Sequence, residues 1–182
     1  AGIQQKTLGI IGLGQIGTAV ARRARAFGMA IAYTGPRRAG PELEAELDAT
    51  FLPLDELLAT ADVVSLHCPL RPETHHLIGP HELEQMKRSA FLVNTARGPV
   101  VDEAALVGAL DSGTIAGAGL DVFEHEPAVN PKLLKLPNVV LLPHMSSATI
   151  EGRVDMGEKV IVNIRTWMDG HKPPDRVIPS ML

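Results

Sequence analysis

A chain of 182 residues has room for one well-buried domain and is too short for two. Hydrophobic residues make up 45% of it and aromatic residues only 3%, so its core is aliphatic, which suits helices layered on a Val/Ile/Leu-rich parallel sheet. The net charge of -4 comes without a polybasic run, which argues against nucleic-acid and anionic-membrane partners. No apolar stretch reaches the roughly 18 residues of a membrane helix. Cys68 is the sole cysteine, so no intrachain disulfide forms and the expected compartment is the reducing cytoplasm. The opening Ala1 to Lys6 has no secretory apolar region and no initiator Met, as in a partial or processed chain.

Short apolar runs alternate with helical patterns along the chain. The first strand is expected at Thr7 to Ile11, followed by a helix over Ile16 to Phe27 and a strand over Met29 to Tyr33. Helices are expected at Pro41 to Ala49 and Asp55 to Thr60, then a strand at Asp62 to Leu66. A helix at Glu82 to Lys87, a strand at Ala90 to Asn94 and a helix at Asp102 to Asp111 come next. Asp102 is placed to cap that last helix and Gly113 to follow its end. Strands at Ile115 to Leu120 and Val139 to Leu142 precede a long helix from Ala148 to Met168. Strands separated by helices in this way form βαβ units. The expected fold is therefore α/β: a Rossmann-type doubly wound parallel sheet with helices on both faces, one domain over 1–182.

In such sheets ligands bind beyond the carboxyl ends of the strands, and the polar residues of this chain collect there. Gly12-Leu13-Gly14-Gln15-Ile16-Gly17 follows the first strand and opens the first helix. In a dinucleotide site the first glycine makes the turn, the second admits the pyrophosphate and the third lets helix and strand pack closely. The phosphates then sit at the helix N-terminus, which favours anions. An acid is expected about 20 residues on to hold the ribose 2′-hydroxyl. The second strand instead runs into Thr34-Gly35-Pro36-Arg37-Arg38, with no acid before Glu42. Arginines there attract a 2′-phosphate that an acid would repel, so NADP(H) is the preferred cofactor and NAD the alternative.

Three further segments end strands: Asn94-Thr95-Ala96-Arg97-Gly98, Asp121-Val122-Phe123-Glu124-His125-Glu126-Pro127 and Pro143-His144-Met145-Ser146. With the glycine loop they resemble the D-isomer-specific 2-hydroxyacid dehydrogenases over nearly the whole chain. The Tyr-Thr-Gly-Pro-Arg-Arg stretch looks most like the glyoxylate/hydroxypyruvate reductase branch, whose members generally use NADPH. The resemblance implies that Arg97 grips the carboxylate and 2-oxo oxygen of a small 2-oxo acid, that His144 is the general acid and that Glu126 orients it. It implies that Asp121 meets the carboxamide side of the nicotinamide and that Cys68, Pro69 and Thr74 line the adenosine side. Gln15, Ile16, Thr95, Ala96 and Ser146 complete the implied cofactor contacts, and Ser146 stands where the family usually has Gly. The chemistry agrees with these roles. A guanidinium fork matches adjacent oxygens, and an imidazole exchanges protons near neutral pH.

Spacing alone does not choose between Glu124 and Glu126; only the Glu-Pro pattern of the family does. His67, Cys68, His75, His76 and His81 fit no zinc-ligand spacing, and no metal is expected. The resemblance also implies a homodimer, and a substrate-covering domain of about a hundred residues ahead of the glycine loop that this chain does not contain. On that basis the 182 residues alone are expected to bind dinucleotide and to turn substrate over poorly. A nucleotide-sensing binding protein of the corepressor type, which shares the fold and motifs, is the competing reading.

Overall fold

A computed structural model describes residues 2–178. The chain divides into two compact units, the first ending at His144 and the second beginning at Met145.

The first unit is built on one parallel sheet. Its strands are β1 (Thr7–Ile11), β2 (Ala30–Thr34), β3 (Ala49–Phe51), β4 (Val63–Leu66), β5 (Phe91–Asn94), β6 (Gly117–Leu120) and β7 (Val139–Leu141). They lie in the order β3-β2-β1-β4-β5-β6-β7. The chain therefore winds outward from β1 in one direction and from β4 in the other. The crevice between those two strands is the switch point at which such sheets bind ligands. The connections carry α1 (Gln15–Ala26), α2 (Pro41–Leu47), α3 (Leu54–Thr60), α4 (Pro80–Gln85) and α5 (Glu103–Asp111).

Side-chain alternation along the strands feeds two cores, one on each face. Leu8, Ile10, Ile31 and Tyr33 point to one face and pack with Ala21 and Leu47 of α1 and α2. Ile11, Ala32, Val64, Leu66 and Leu92 point to the other, against Leu57, Leu83 and Leu106 of α3, α4 and α5. Both cores are chiefly aliphatic, as the composition requires, with Tyr33 and Phe51 in edge-to-face contact at 5.2 Å.

The caps of α5 form as expected: Asp102 accepts the Ala105 N–H at 2.9 Å, and Gly113 follows the helix at φ +69°. Strand β3 is the element the pattern missed. Its first residue, Ala49, falls at the end of the helix expected over Pro41 to Ala49, whereas α2 stops at Leu47 because Asp48 turns left-handed at φ +49°. Three residues paired only with β2 are too short to show a period. Helix α4 starts two residues earlier than expected, because Pro80 occupies its first turn and Glu82 accepts the Gly79 N–H.

The second unit holds α6 (Ile150–Met168). Thr149 caps it by accepting the Gly152 N–H at 3.0 Å. Asp175 bonds Lys159 and Asn163 and so ties the following segment to the helix. Ile150, Val154, Ile161 and Trp167 along the helix are exposed. Among the described residues no helix is long and apolar enough to cross a membrane.

Candidate active site

The glycine loop occupies the switch point. Gly12 has φ +98°, and a Cβ there would stand 2.8 Å from the Cys68 nitrogen, so only glycine lets the ends of β1 and β4 come this close. A Cβ at Gly17 would overlap the Gly12 carbonyl, which fixes how tightly α1 packs on the turn. Gly14 faces open space, with nothing within 4 Å of its would-be Cβ. Gln15 and Ile16 open α1 and are exposed beside that space. Two glycines tighten the turn and one leaves a gap above the helix N-terminus, which is the cradle a pyrophosphate needs.

Two adjoining cavities meet at Cys68 and Pro69. One of about 460 Å³ is mostly apolar and is lined by Gly12, Thr34 to Pro36, Leu54, Arg71, Thr74 and Leu77 among others. The other, of about 410 Å³, is lined by Ile16, His67, Leu70, Thr95, Ala96 and Arg97 as well as Cys68 and Pro69. Burial pushes the Cys68 thiol up and the His67 imidazole down, so both are held neutral beside the cavities. The Thr74 hydroxyl donates to the Pro69 carbonyl at 2.6 Å and accepts the Arg71 N–H at 2.8 Å. Thr74 thus shapes the loop whose wall it forms.

The two arginines after β2 differ in their partners. Arg38 forks onto both carboxylate oxygens of Glu44 at 2.9 Å. The Tyr33 hydroxyl also donates to Glu44, at 2.6 Å, while accepting the Ala39 N–H. Arg38 and then Tyr33 hold the Glu44 carboxyl below the usual carboxylate range. Arg37 is exposed and has no ion pair among the described residues. Neither arginine is among the residues lining the apolar cavity; Arg71 is.

Arg97, Glu126 and His144 come from three strand ends. Arg97 leaves β5 exposed, its Nη1 donating to the Ala96 carbonyl at 2.6 Å. Buried Asn94 clamps this loop, accepting the Ala96 N–H at 3.1 Å and donating to the Arg97 carbonyl at 3.0 Å. Gly98 presses it onto the next loop, where any Cβ would overlap the Phe123 carbonyl. In that loop Asp121 is buried, and its N–H donates to the Asn94 carbonyl at 3.0 Å.

Glu126 accepts the Phe123 N–H at 2.9 Å with one oxygen and the His144 Nδ1–H at 2.7 Å with the other. The His144 hydrogen bond foremost, then the Phe123 N–H and the nearby charges of His144 and Arg97, hold the Glu126 carboxyl below its usual range against partial burial. His144 is half-exposed and left-handed at φ +52°. Glu124, the competing acid, faces elsewhere: it meets His76 Nε2 at 2.6 Å and the Glu103 N–H at 3.3 Å. Ser146 lies in the second unit, exposed in the turn ahead of α6.

Two positioning residues escaped the sequence reading, Asn94 and Gly98. A buried Asn closing an apolar strand was the available signal, since Asn is depleted in strands.

Residues 1–146 match the family profile of the D-isomer specific 2-hydroxyacid dehydrogenase NAD-binding domain. The chain is 51% identical over 181 residues to a glyoxylate reductase of Thermococcus litoralis, covering 100% of this chain and 54% of that protein. It is 49% identical over 169 residues to 4-methyl-2-oxopentanoate reductase A of Aspergillus oryzae, covering 93% of this chain and 51% of that one. The crystal structure of a glyoxylate reductase from Paecilomyes thermophila superposes with a TM-score of 0.86 at 49% identity, over 91% of this chain and 50% of that one. The chain spans about half the length of the curated relatives it matches.

Proposed function

Because the chain belongs to the D-isomer specific 2-hydroxyacid dehydrogenase family, we propose that it is the dinucleotide-binding part of a reductase that converts a small 2-oxo acid, such as glyoxylate or hydroxypyruvate, into its 2-hydroxy acid. NADPH is the preferred cofactor in this reading and NAD the alternative. The observation that carries it is the 2.7 Å His144–Glu126 pair, set in one unit with Arg97 at the carboxyl edge of the sheet.

The residues present fit a dinucleotide. The gap at Gly14 suits phosphate, the apolar cavity beside Cys68 and Thr74 suits an adenosine, and the cavity bounded by Thr95 to Arg97 suits the nicotinamide end. When bound, the nicotinamide supplies a hydride to the carbonyl carbon. Arg97 holds the substrate carboxylate and 2-oxo oxygen through its fork. His144 spends Nδ1 on Glu126, so the proton it gives to the carbonyl oxygen sits on Nε2. The carboxylate of Glu126 fixes the ring, holding the proton on Nδ1 and leaving Nε2 toward the substrate side.

For the cofactor, Arg37 is the arginine after β2 that has no ion pair among the described residues and so is free to meet a 2′-phosphate, while Arg38 would be shared with Glu44. Charge-assisted hydrogen bonds contribute about 1.5–3 kcal/mol each, which corresponds to roughly a ten- to hundredfold preference. Assembly as a cytoplasmic homodimer belongs to the same proposal and rests on the family resemblance; sedimentation at two concentrations tests the dimer. The function is tested by calorimetric titration with NADPH and NADH, and by turnover of the whole protein on glyoxylate, hydroxypyruvate and 4-methyl-2-oxopentanoate. Failure to reduce any 2-oxo acid would sink the reading. Equal affinities for the two cofactors, or an unchanged ratio in the Arg37→Ala/Arg38→Ala variant, would remove the NADPH preference alone.

A further inference from the structure

Away from the His144 pair, the fold assembles a second group of histidines and carboxylate. Side chains adjacent in sequence usually diverge, yet the rings of His75 and His76 stack with centroids 4.0 Å apart and 29° between their planes. The cause is the backbone of His76, which is left-handed at φ +51°. Its own N–H is anchored to the Pro99 carbonyl at 2.8 Å. The Nε2 of His76 then lies 2.6 Å from Glu124 Oε1, and one donor atom from each of His75, His76 and Glu124 falls within 4.8 Å of the others.

The surroundings favour a cation. Glu124 is partly buried, and its other oxygen accepts the Glu103 N–H at 3.3 Å, while the Glu124 N–H donates to Glu103 Oε2 at 3.1 Å. A second carboxylate therefore backs the first. Among the described residues neither is paired with a lysine or arginine. Two imidazole nitrogens and one carboxylate oxygen suit a borderline ion of the zinc type; calcium and magnesium favour all-oxygen sets.

We propose that His75, His76 and Glu124 form a binding site for a divalent transition-metal ion such as zinc, with the remaining coordination position open to water. Linear spacing conceals it, because Glu124 lies 48 residues beyond His76 and joins it only through the fold. A bound ion would staple the turn after β4 to the loop after β6. That second loop carries Glu126 and backs Gly98, so the ion would stiffen the frame behind the candidate active site without touching Arg97 or His144.

Titration of the protein with Zn²⁺ in a non-chelating neutral buffer, against a chromophoric competitor, tests the site. One saturable equivalent per chain is expected, with a rise in thermal midpoint, and magnesium in excess should not displace it. His75→Ala removes an exposed ring outside the core. It should weaken that equivalent at least about tenfold and abolish the thermal shift, since changes around metal ligands typically cost about 10- to 100-fold in affinity. Glu124→Gln should do the same, whereas His81→Ala, outside the cluster, should bind as the parent does. Should Glu124→Gln fail to fold by circular dichroism, His75→Ala decides alone. Absence of a saturable equivalent, or binding unchanged in His75→Ala, overturns the proposal.

Discussion

The two edges of the sheet in the first unit put their charges to opposite uses. At the amino edge Asp62 closes the start of β4 onto β1, accepting the Thr7 N–H at 2.9 Å and pairing with Lys87 at 3.2 Å and Lys6 at 3.8 Å. Its charge is spent within the fold. At the carboxyl edge Asp121 is buried, but the candidate reactive groups stay in reach of solvent: Arg97 and His144 are exposed, and Glu126 is about a third exposed. The backbone enters left-handed territory at both edges, at Gln5 and Asp48 ahead of β1 and β3 and at Gly12, His76 and His144 beyond β1, β4 and β7. For a non-glycine residue this costs on the order of 1 kcal/mol. Asn94 and Gly98 hold the Arg97 loop against the loop after β6. One edge is therefore built to be stable and the other to hold reactive groups in place. Substitutions at the two edges should separate stability from activity.

The largest separation is expected at His144. Loss of a general acid typically costs about 10²–10⁴ in rate, so His144→Ala should cut turnover of the whole protein by that much. Its urea midpoint should change little, because the side chain is half-exposed and, among the described residues, its hydrogen bond is to Glu126. A His144→Ala protein that keeps near-parental turnover would remove the general acid from the proposal.

Gly98→Ala should move both quantities, and so tests whether the carboxyl edge is one braced frame. Its Cβ would meet backbone atoms that cannot rotate aside, and overpacking typically costs about 1–3 kcal/mol. Urea denaturation reads that loss, and a raised KM for the 2-oxo acid reads the displacement of Arg97. A change in neither would show that the two loops give way freely.

The acid pair divides more finely. The carboxyl of Glu126 is held low, so its charged form and the bond to His144 are complete above the ordinary carboxylate range and are lost as pH falls through the depressed value. Activity should therefore carry an acid limb below that range. Glu126→Gln should erase the limb, and Glu124→Gln should leave it in place. The reverse outcome would exchange the roles of the two acids.

The smallest effect is expected at Asp62. The Thr7 N–H first, then Lys87 and Lys6, hold its carboxyl low, so its stabilisation is present above the usual aspartate range and fades as pH falls through the depressed value. Asp62→Asn keeps an acceptor for Thr7 and loses the charge, a change of about 1 kcal/mol. Stability measured against pH should flatten on the acid side while NADPH affinity stays as in the parent. A loss of cofactor affinity in Asp62→Asn would deny that the two edges are independent.

Much of this arrangement follows from the order of residues alone. The alternation of apolar runs and helical periods specifies a parallel sheet, because a strand buried on both faces must be apolar throughout and its crossover must be helical. The glycine spacing carries its own geometry: Gly12 and Gly17 sit where a Cβ would collide, and Gly14 sits where space is left open. Strand ends were legible too, so the segments bearing Arg97, Glu126 and His144 could be placed on one edge before any distance was known. What the sequence could not decide was direction and partnership. Glu124 and Glu126 are two residues apart in one loop, yet one meets His76 and the other His144, a choice made by how the turn after β6 folds back. Arg37 and Arg38 look equivalent until Glu44, six residues past Arg38, claims one of them. The stacking of His75 on His76 depends on a single left-handed residue. Periodicity reports which face a side chain occupies. Which neighbour it touches is set by contacts between loops far apart in sequence, and those exist only once the sheet has brought the strand ends together.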